Sequence, residues 1–273
     1  MGRAIARTFE QLKQGGRKAF IPFITAGDPD LETTIGLVPE LERAGAHIVE
    51  LGIPFSDPVA DGPTIQRSSE RALRHGYRLA DYLEAVGTIR RQTGLPLVLF
   101  SYFNPILQYG LENLARDARA AGVDGVLVTD ITPEEGDDYC ACLGRHELDP
   151  IFLVAPTSGP RRIGRIVDSC RGFVYVVSRA GVTGARDALS DSILPTLARV
   201  RERTQLPVAV GFGISRPEQV QAVWEVADGA VVGSAIVAQV EKNAGAPDLP
   251  AQVGAFCRWL IAPAVGRTIQ RDP

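Results

Sequence analysis

Short apolar runs separated by stretches of helical spacing recur along this chain and restrict it to an alternation of strands and helices. The runs are Phe20–Thr25, Ile48–Leu51, Leu97–Phe100, Gly125–Val128, Ile151–Val154, Phe173–Val177, Val208–Val210 and Ala230–Val232. Each is almost continuously apolar, as parallel strands covered on both faces must be. Two pairs of junctions echo one another: Gln92-Thr93-Gly94-Leu95-Pro96 matches Thr204-Gln205-Leu206-Pro207, and Ala44-Gly45-Ala46 matches Ala121-Gly122-Val123. Such echoes fit a fold built from one repeated unit. Asp30 is placed to cap a helix that runs to Ala44 and stops at Gly45. Pro133 and Pro217 are expected in first helical turns, where proline is tolerated.

Strict alternation allows a doubly wound sheet or a closed barrel, and eight strands in 273 residues favour the barrel. The expected fold class is therefore α/β: one (β/α)₈ TIM-barrel domain over residues 1–273, with extra helices in its loops. A short helix at Phe9–Lys13 is expected to cover the barrel bottom, and the tail from about residue 261 reads as irregular.

Bulk properties exclude several classes. Hydrophobic residues make up 45% and charged residues 22%, ordinary values for a globular chain. A net charge of -3 argues against nucleic acid or an anionic membrane as the main partner. Met1–Arg7 offers no apolar stretch long enough for a signal peptide, and no run is long enough to span a bilayer. A cytoplasmic location is the expectation. Cys140-Ala141-Cys142 lacks a second ligand pair or a histidine at zinc-like spacing, so the four cysteines read as reduced thiols. His47, His75 and His146 fall before strands or at helix ends, so neither a metal site nor a Ser-His-Asp triad is supported.

In such barrels the chemistry sits at the C-terminal strand ends. The loop after the second strand, Glu50–Thr64, is far longer than usual and holds three prolines, three carboxylates and two glycines. Glu50 belongs to an inward strand, where burial raises a carboxyl pKa toward the range of a general acid/base. A structural glutamate paired with a buried cation fits equally well. Asp61, before Gly62, is either a working carboxylate or a turn residue, and Asp57 before Pro58 has the same two readings. Gly211-Phe212-Gly213 and Gly233-Ser234 follow the seventh and eighth strands, where backbone N–H groups and a helix N-terminus commonly hold phosphate. The loop Ser178–Arg186, with Thr183 between two glycines, is a candidate lid or a plain connector. Tyr102 and Tyr175, at strand ends, are either core or site aromatics.

The run E-L-G-I-P-F-S-D-P-V-A-D-G-P-T at Glu50–Thr64 closely resembles the signature of the tryptophan synthase α subunit family. So do Pro22–Pro29, Phe173–Arg186, Gly211–Glu218 and Gly233–Val237, in colinear order from about Phe9 to Asn243. The resemblance implies a lyase that cleaves indole-3-glycerol phosphate to indole and glyceraldehyde 3-phosphate by a retro-aldol route. It implies that Glu50 moves protons to indole C3 and from the glycerol hydroxyl, that Asp61 holds the indole N–H, and that Tyr175 orients the glutamate. Phe23, Phe100, Tyr102, Leu127 and Leu153 would wall the indole, and Thr183 would close the site. Gly184, Gly211, Phe212, Gly213, Gly233 and Ser234 would hold the phosphate. No cofactor is implied, since pyridoxal phosphate belongs to the β subunit. That subunit is the implied partner in an α2β2 complex, facing Asp57, Pro58, Asn104, Pro105, Asp130 and Glu134. The chain departs from the family at Thr129, Thr132, Val176 and Ser101. A free-standing lyase, or an idle barrel that only binds a β subunit, are the alternatives.

Overall fold

The computed structural model describes residues 3–177, 193–211 and 213–263. Its parallel strands are β1 (Ala19–Thr25), β2 (Val49–Gly52), β3 (Leu97–Ser101), β4 (Gly125–Val128), β5 (Asp149–Ile151), β6 (Leu153–Val154), β7 (Val174–Val177), β8 (Val208–Gly211) and β9 (Gly229–Val232). They pair in the order β5-β4-β3-β2-β1-β9-β8-β7-β6. The two ends of that ladder, β5 and β6, are one expected strand interrupted only at Phe152. The chain itself therefore joins the ladder's ends, and the result is the expected eight-stranded TIM barrel.

Helices surround it: α2 (Leu31–Arg43), α3 (Pro63–Leu73), α4 (Leu79–Arg90), α5 (Phe103–Tyr109), α6 (Leu111–Ala121), α7 (Asp137–Arg145), α8 (Pro160–Ser169), α9 (Ile193–Arg201), α10 (Pro217–Val226), α11 (Ser234–Lys242) and α12 (Leu249–Ile261), preceded by α1 (Ala4–Gln14). Asp30 caps α2 as expected, its carboxylate accepting from Thr33 N–H at 2.6 Å. Pro217 opens α10. Pro133 does not open a helix. It sits in a turn closed by Glu135 N–H to Thr132 C=O at 3.1 Å, and α7 starts only after Gly136. A fixed φ suits the second position of a turn as well as a first helical turn, so the residue alone could not separate the two. Among the described residues no helix is long and apolar enough to cross a membrane.

Period-two alternation sorts the strand side chains into two cores. Phe20, Ile24, Val49, Leu51, Leu97, Leu99, Val126, Val174 and Val210 pack outward against the helices. Ile21, Ile48, Val98, Leu127, Ile151, Phe173, Tyr175, Ala209 and Val231 fill the interior. The interior includes Ile5, Phe9 and Leu12 from α1, so the N-terminal helix is longer than expected and works as a plug. An added Cβ at Gly125, where β4 begins, would stand 3.0 Å from the Ile5 side chain, which places the plug at the N-terminal ends of the strands. Arg3 fixes the start of this helix by donating to the buried Asp149 carboxylate at 2.6 Å. Among the described residues no such plug enters the opposite end of the barrel.

Candidate active site

At the C-terminal strand ends lies a cavity of about 270 Å³. Of the expected residues it brings together Phe23, Glu50, Asp61, Phe100, Tyr175, Gly213, Gly233 and Ser234, contributed by six of the strands or the loops after them. Tyr102 lines an adjoining recess with Asp61, Phe23 and Phe100. Leu127 and Leu153 are packed in or against the inner cluster that includes Tyr175, and Leu153 lies level with Tyr175 across the β6–β7 pairing. Thr183, Gly184 and Phe212 lie outside the described residues.

Glu50 is on the inward face of β2, level with Phe23 on β1, and is wholly buried. Neither carboxylate oxygen has a hydrogen-bond partner among the described residues, so the pairing with a buried cation does not occur there. Burial alone pushes its pKa up to about 8, because an ionised carboxylate in that apolar wall has lost its water. Tyr175 shares the cavity and stands close enough that the Glu50 charge adds to burial in holding its phenol neutral. It makes no hydrogen bond to the glutamate, so any orienting effect acts by packing.

Asp61 hangs over the same cavity from the loop between β2 and α3. Burial raises its pKa to about 6, and a hydrogen bond from the Tyr102 hydroxyl partly offsets that rise. The same hydroxyl accepts from Ala60 N–H at 2.9 Å, so Tyr102 fixes both the loop backbone and the carboxylate. Glu50 and Asp61 thus differ by about two units in one apolar space. Carboxyls separated in this way take opposite protonation states near neutral pH.

Two glycines make room for the aromatic wall. A Cβ at Gly52 would lie 2.4 Å from the Phe23 ring, and one at Gly211 would lie 2.0 Å from the Tyr175 hydroxyl oxygen. Gly211, expected at the phosphate, is therefore needed first by Tyr175. Phe23 and Phe100 meet edge to face with ring centres 5.1 Å apart and form an aromatic part of the cavity wall. In the same cavity as the carboxylates, Gly213 and Gly233 line the wall with Ser234, the first residue of α11. The first N–H groups of a helix have no partner within it and attract anions.

Reading from sequence did not single out Pro63, Thr64, Ile65 and Val231, which also line the cavity. Strand alternation marks Val231 as inward, but the other three depend on how the long loop folds back.

The rim residues expected to face a partner are at the surface. Asp57, Asn104, Asp130 and Glu134 are exposed and Pro58 and Pro105 half-buried. The Asp130 carboxylate accepts from Phe103 N–H at 2.7 Å and so holds α5 to the loop after β4. Close in sequence to these residues, Val59 and Leu107 are 87% and 59% exposed.

Other clusters do not compete. A wider groove along α8 carries Arg161, Arg162, Arg165 and Arg203 and, of the expected residues, only Glu134, whose pKa is lowered. His47 accepts from Phe20 N–H at 3.1 Å, and His75 pairs with the Pro29 carbonyl. His146 comes to Cys142 and Glu112, contrary to the expectation of no nearby histidine, because residues four apart share a helix face. The Glu112 carboxylate there bonds with His146, Arg145 and Cys142, which holds its pKa down to about 2.

The comparisons with known proteins converge. The sequence profile of the family described as tryptophan synthase alpha chain matches residues 9–257. The tryptophan synthase alpha chain of Geobacter sulfurreducens is 54% identical over 256 residues, spanning 94% of this chain and 97% of the relative. That of Solibacter usitatus is 51% identical over 256 residues, spanning 94% and 96%. Among solved structures, tryptophan synthase subunit alpha from Legionella pneumophila superposes with a TM-score of 0.88 at 37% identity, covering 96% of this chain and 99% of that one. A Mycobacterium tuberculosis tryptophan synthase structure gives 0.86 at 38% identity, covering 96% and 100%. With that coverage and identity, and with the barrel already on independent footing, the chain belongs to the tryptophan synthase alpha chain family.

Proposed function

We propose that this chain cleaves indole-3-glycerol phosphate to indole and glyceraldehyde 3-phosphate, with Glu50 as acid/base and Asp61 as the fixed charge. One observation carries the assignment: the two carboxyls, with pKa values of about 8 and about 6, share an aromatic-walled cavity with a glycine-flanked helix N-terminus. Cleaving the bond to C3 of a neutral indole would leave its electron pair on carbon, so C3 is protonated first. Protonated Glu50 gives that proton, and ionised Asp61 accepts the ring N–H and stabilises the resulting cation. The Glu50 carboxylate then takes the proton from the glycerol hydroxyl. That oxygen's electrons form the aldehyde carbonyl, the C–C bond breaks, and its electron pair neutralises the ring. Glu50 ends protonated, as it began. No step requires a metal or an organic cofactor. The phosphate lies against Gly213, Gly233 and Ser234, joined in this reading by Gly184 and Phe212, and Thr183 closes the site.

A tryptophan synthase β subunit is the proposed partner and the cytoplasm the proposed location. Val59 and Leu107, large apolar side chains left in water beside Asp57, Pro58, Asn104 and Pro105, support a docking rim.

Indole release by the purified chain, with and without a β subunit, tests the reading. General acid–base groups typically contribute about 10²–10⁴-fold, so Glu50→Gln should lower kcat by that order while substrate still binds. Asp61→Asn should also be nearly inactive. Near-normal indole production by either variant would remove that residue from the mechanism, and no activation by a β subunit would remove the partner.

A further inference from the structure

Two helices deliver the two halves of the cavity. α3 starts at Pro63, just past Asp61, and α11 starts at Ser234 in the anion cradle; both N-termini line the same space. Further along, an arginine clamp ties the helices together. Glu241, in the last turn of α11, accepts from Arg67 Nε and Nη2 of α3, each at 2.9 Å. It also accepts from Arg71 Nη1 at 2.8 Å. The rest of the Arg71 guanidinium grips the buried Asp28, just past β1, with Nε and Nη2 each at 2.8 Å from its carboxylate. One guanidinium thus joins the β1 loop, the helix that follows the Asp61 loop and the helix whose N-terminus lines the anion cradle. Both forks are planar and bidentate, a geometry that fixes orientation as well as distance. Nothing in the proposed chemistry uses these residues.

We propose that Arg67, Arg71 and Glu241 are positioning residues that couple occupancy of the anion cradle to the placement of Asp61 against the ring. This rests on the cavity being the indole-glycerol-phosphate site. An anion drawn to the N-terminus of α11 biases the position of that short, rigid helix. The clamp passes the bias to α3 about one and two turns below its N-terminus, at Arg67 and Arg71, and Asp61, just before that N-terminus, moves with it. Coupling of this kind is reciprocal, so ring binding and anion binding strengthen each other by one factor.

The test is calorimetric titration of the full chain with indole, in the absence and presence of saturating sn-glycerol 3-phosphate, on wild type, Glu241→Gln and Arg67→Gln. Wild type should bind indole roughly tenfold more tightly with the phosphate present, within the usual range of coupling between sites. In either variant that ratio should fall below about twofold, while the affinity for each ligand alone stays near wild type. Both substitutions lie on partly exposed side chains, so at least one folded variant is expected. A merely structural clamp would lower the melting temperature and leave the ratio intact. Coupling retained in a folded variant, or absent from wild type that binds both ligands, would overturn the inference and leave the site assignment standing. Wild type that binds neither ligand would overturn the assignment itself.

Discussion

Glu50 is held neutral by the same burial that makes it useful, and the two consequences have opposite signs. Its folded pKa of about 8 lies above the ordinary value of 4.5, so folding favours the protonated form. Below pH 4.5 the residue is neutral in both states and imposes no ionisation cost. Between 4.5 and 8 the unfolded chain ionises first, and stability falls with every step of pH until the folded form titrates as well. Glu50→Gln should therefore raise the melting temperature by several degrees at pH 8 and by almost nothing near pH 4.5, while lowering indole formation by the same factor of about 10²–10⁴, the order expected for loss of a general acid–base group. A stability difference that did not grow with pH would refute the neutral, unpaired glutamate. Activity needs Glu50 protonated and Asp61 ionised together, so kcat/KM of the chain alone should peak between about 6 and about 8. Tyr102 lowers the Asp61 value by hydrogen bonding, so Tyr102→Phe should move the acid limb to higher pH and narrow the window. A limb that stayed in place would show that Tyr102 does not reach Asp61 in solution.

At the scale of elements, strand ends and plug are under separate constraints. Gly211 ends β8 with the Tyr175 hydroxyl in the space a Cβ would take. Gly211→Ala should displace that ring and lower kcat, with an overpacking cost of about 1–3 kcal/mol visible in urea melts. Unchanged kinetics would mean that the ring's position is immaterial. The α1 plug makes the opposite separation. Phe9 is 4% exposed and packs on Phe173 at 5.8 Å between ring centres. Phe9→Ala should cost about 3–5 kcal/mol and leave KM near its wild-type value, because the plug fills the end of the barrel away from the cavity. A large KM change would show that the plug's packing reaches the site.

For the whole molecule, the barrel end away from the α1 plug carries the cavity, and the rim beside it bears the exposed apolar side chains Val59 and Leu107. Leu107, 59% exposed on α5, contributes little to the stability of the chain. Leu107→Asp should change that stability by no more than about 0.5 kcal/mol yet weaken activation by an added β subunit. Full activation of the variant would place the docking surface elsewhere.

How much of this was legible along the chain depended on the range of the interaction. The strand runs, the Asp30 cap and the glycines after the last two strands are written in residues a few positions apart. Those local patterns determined the barrel and the end of it that holds the site. The break at Phe152 was not legible, because Ile151–Val154 is uniformly apolar and only its separate pairings with β4 and β7 divide it. Glu50 was equally compatible with a buried ion pair until the fold showed no cation beside it among the described residues. The grip of Tyr102 on Asp61 joins a strand end to a loop some forty positions away, and the clamp from Arg67 to Glu241 spans 174. By itself the sequence determined an α/β barrel with carboxylates and glycines at its catalytic end. Only barrel closure decided which of them share one cavity, because desolvation and hydrogen bonding act through space and not along the chain.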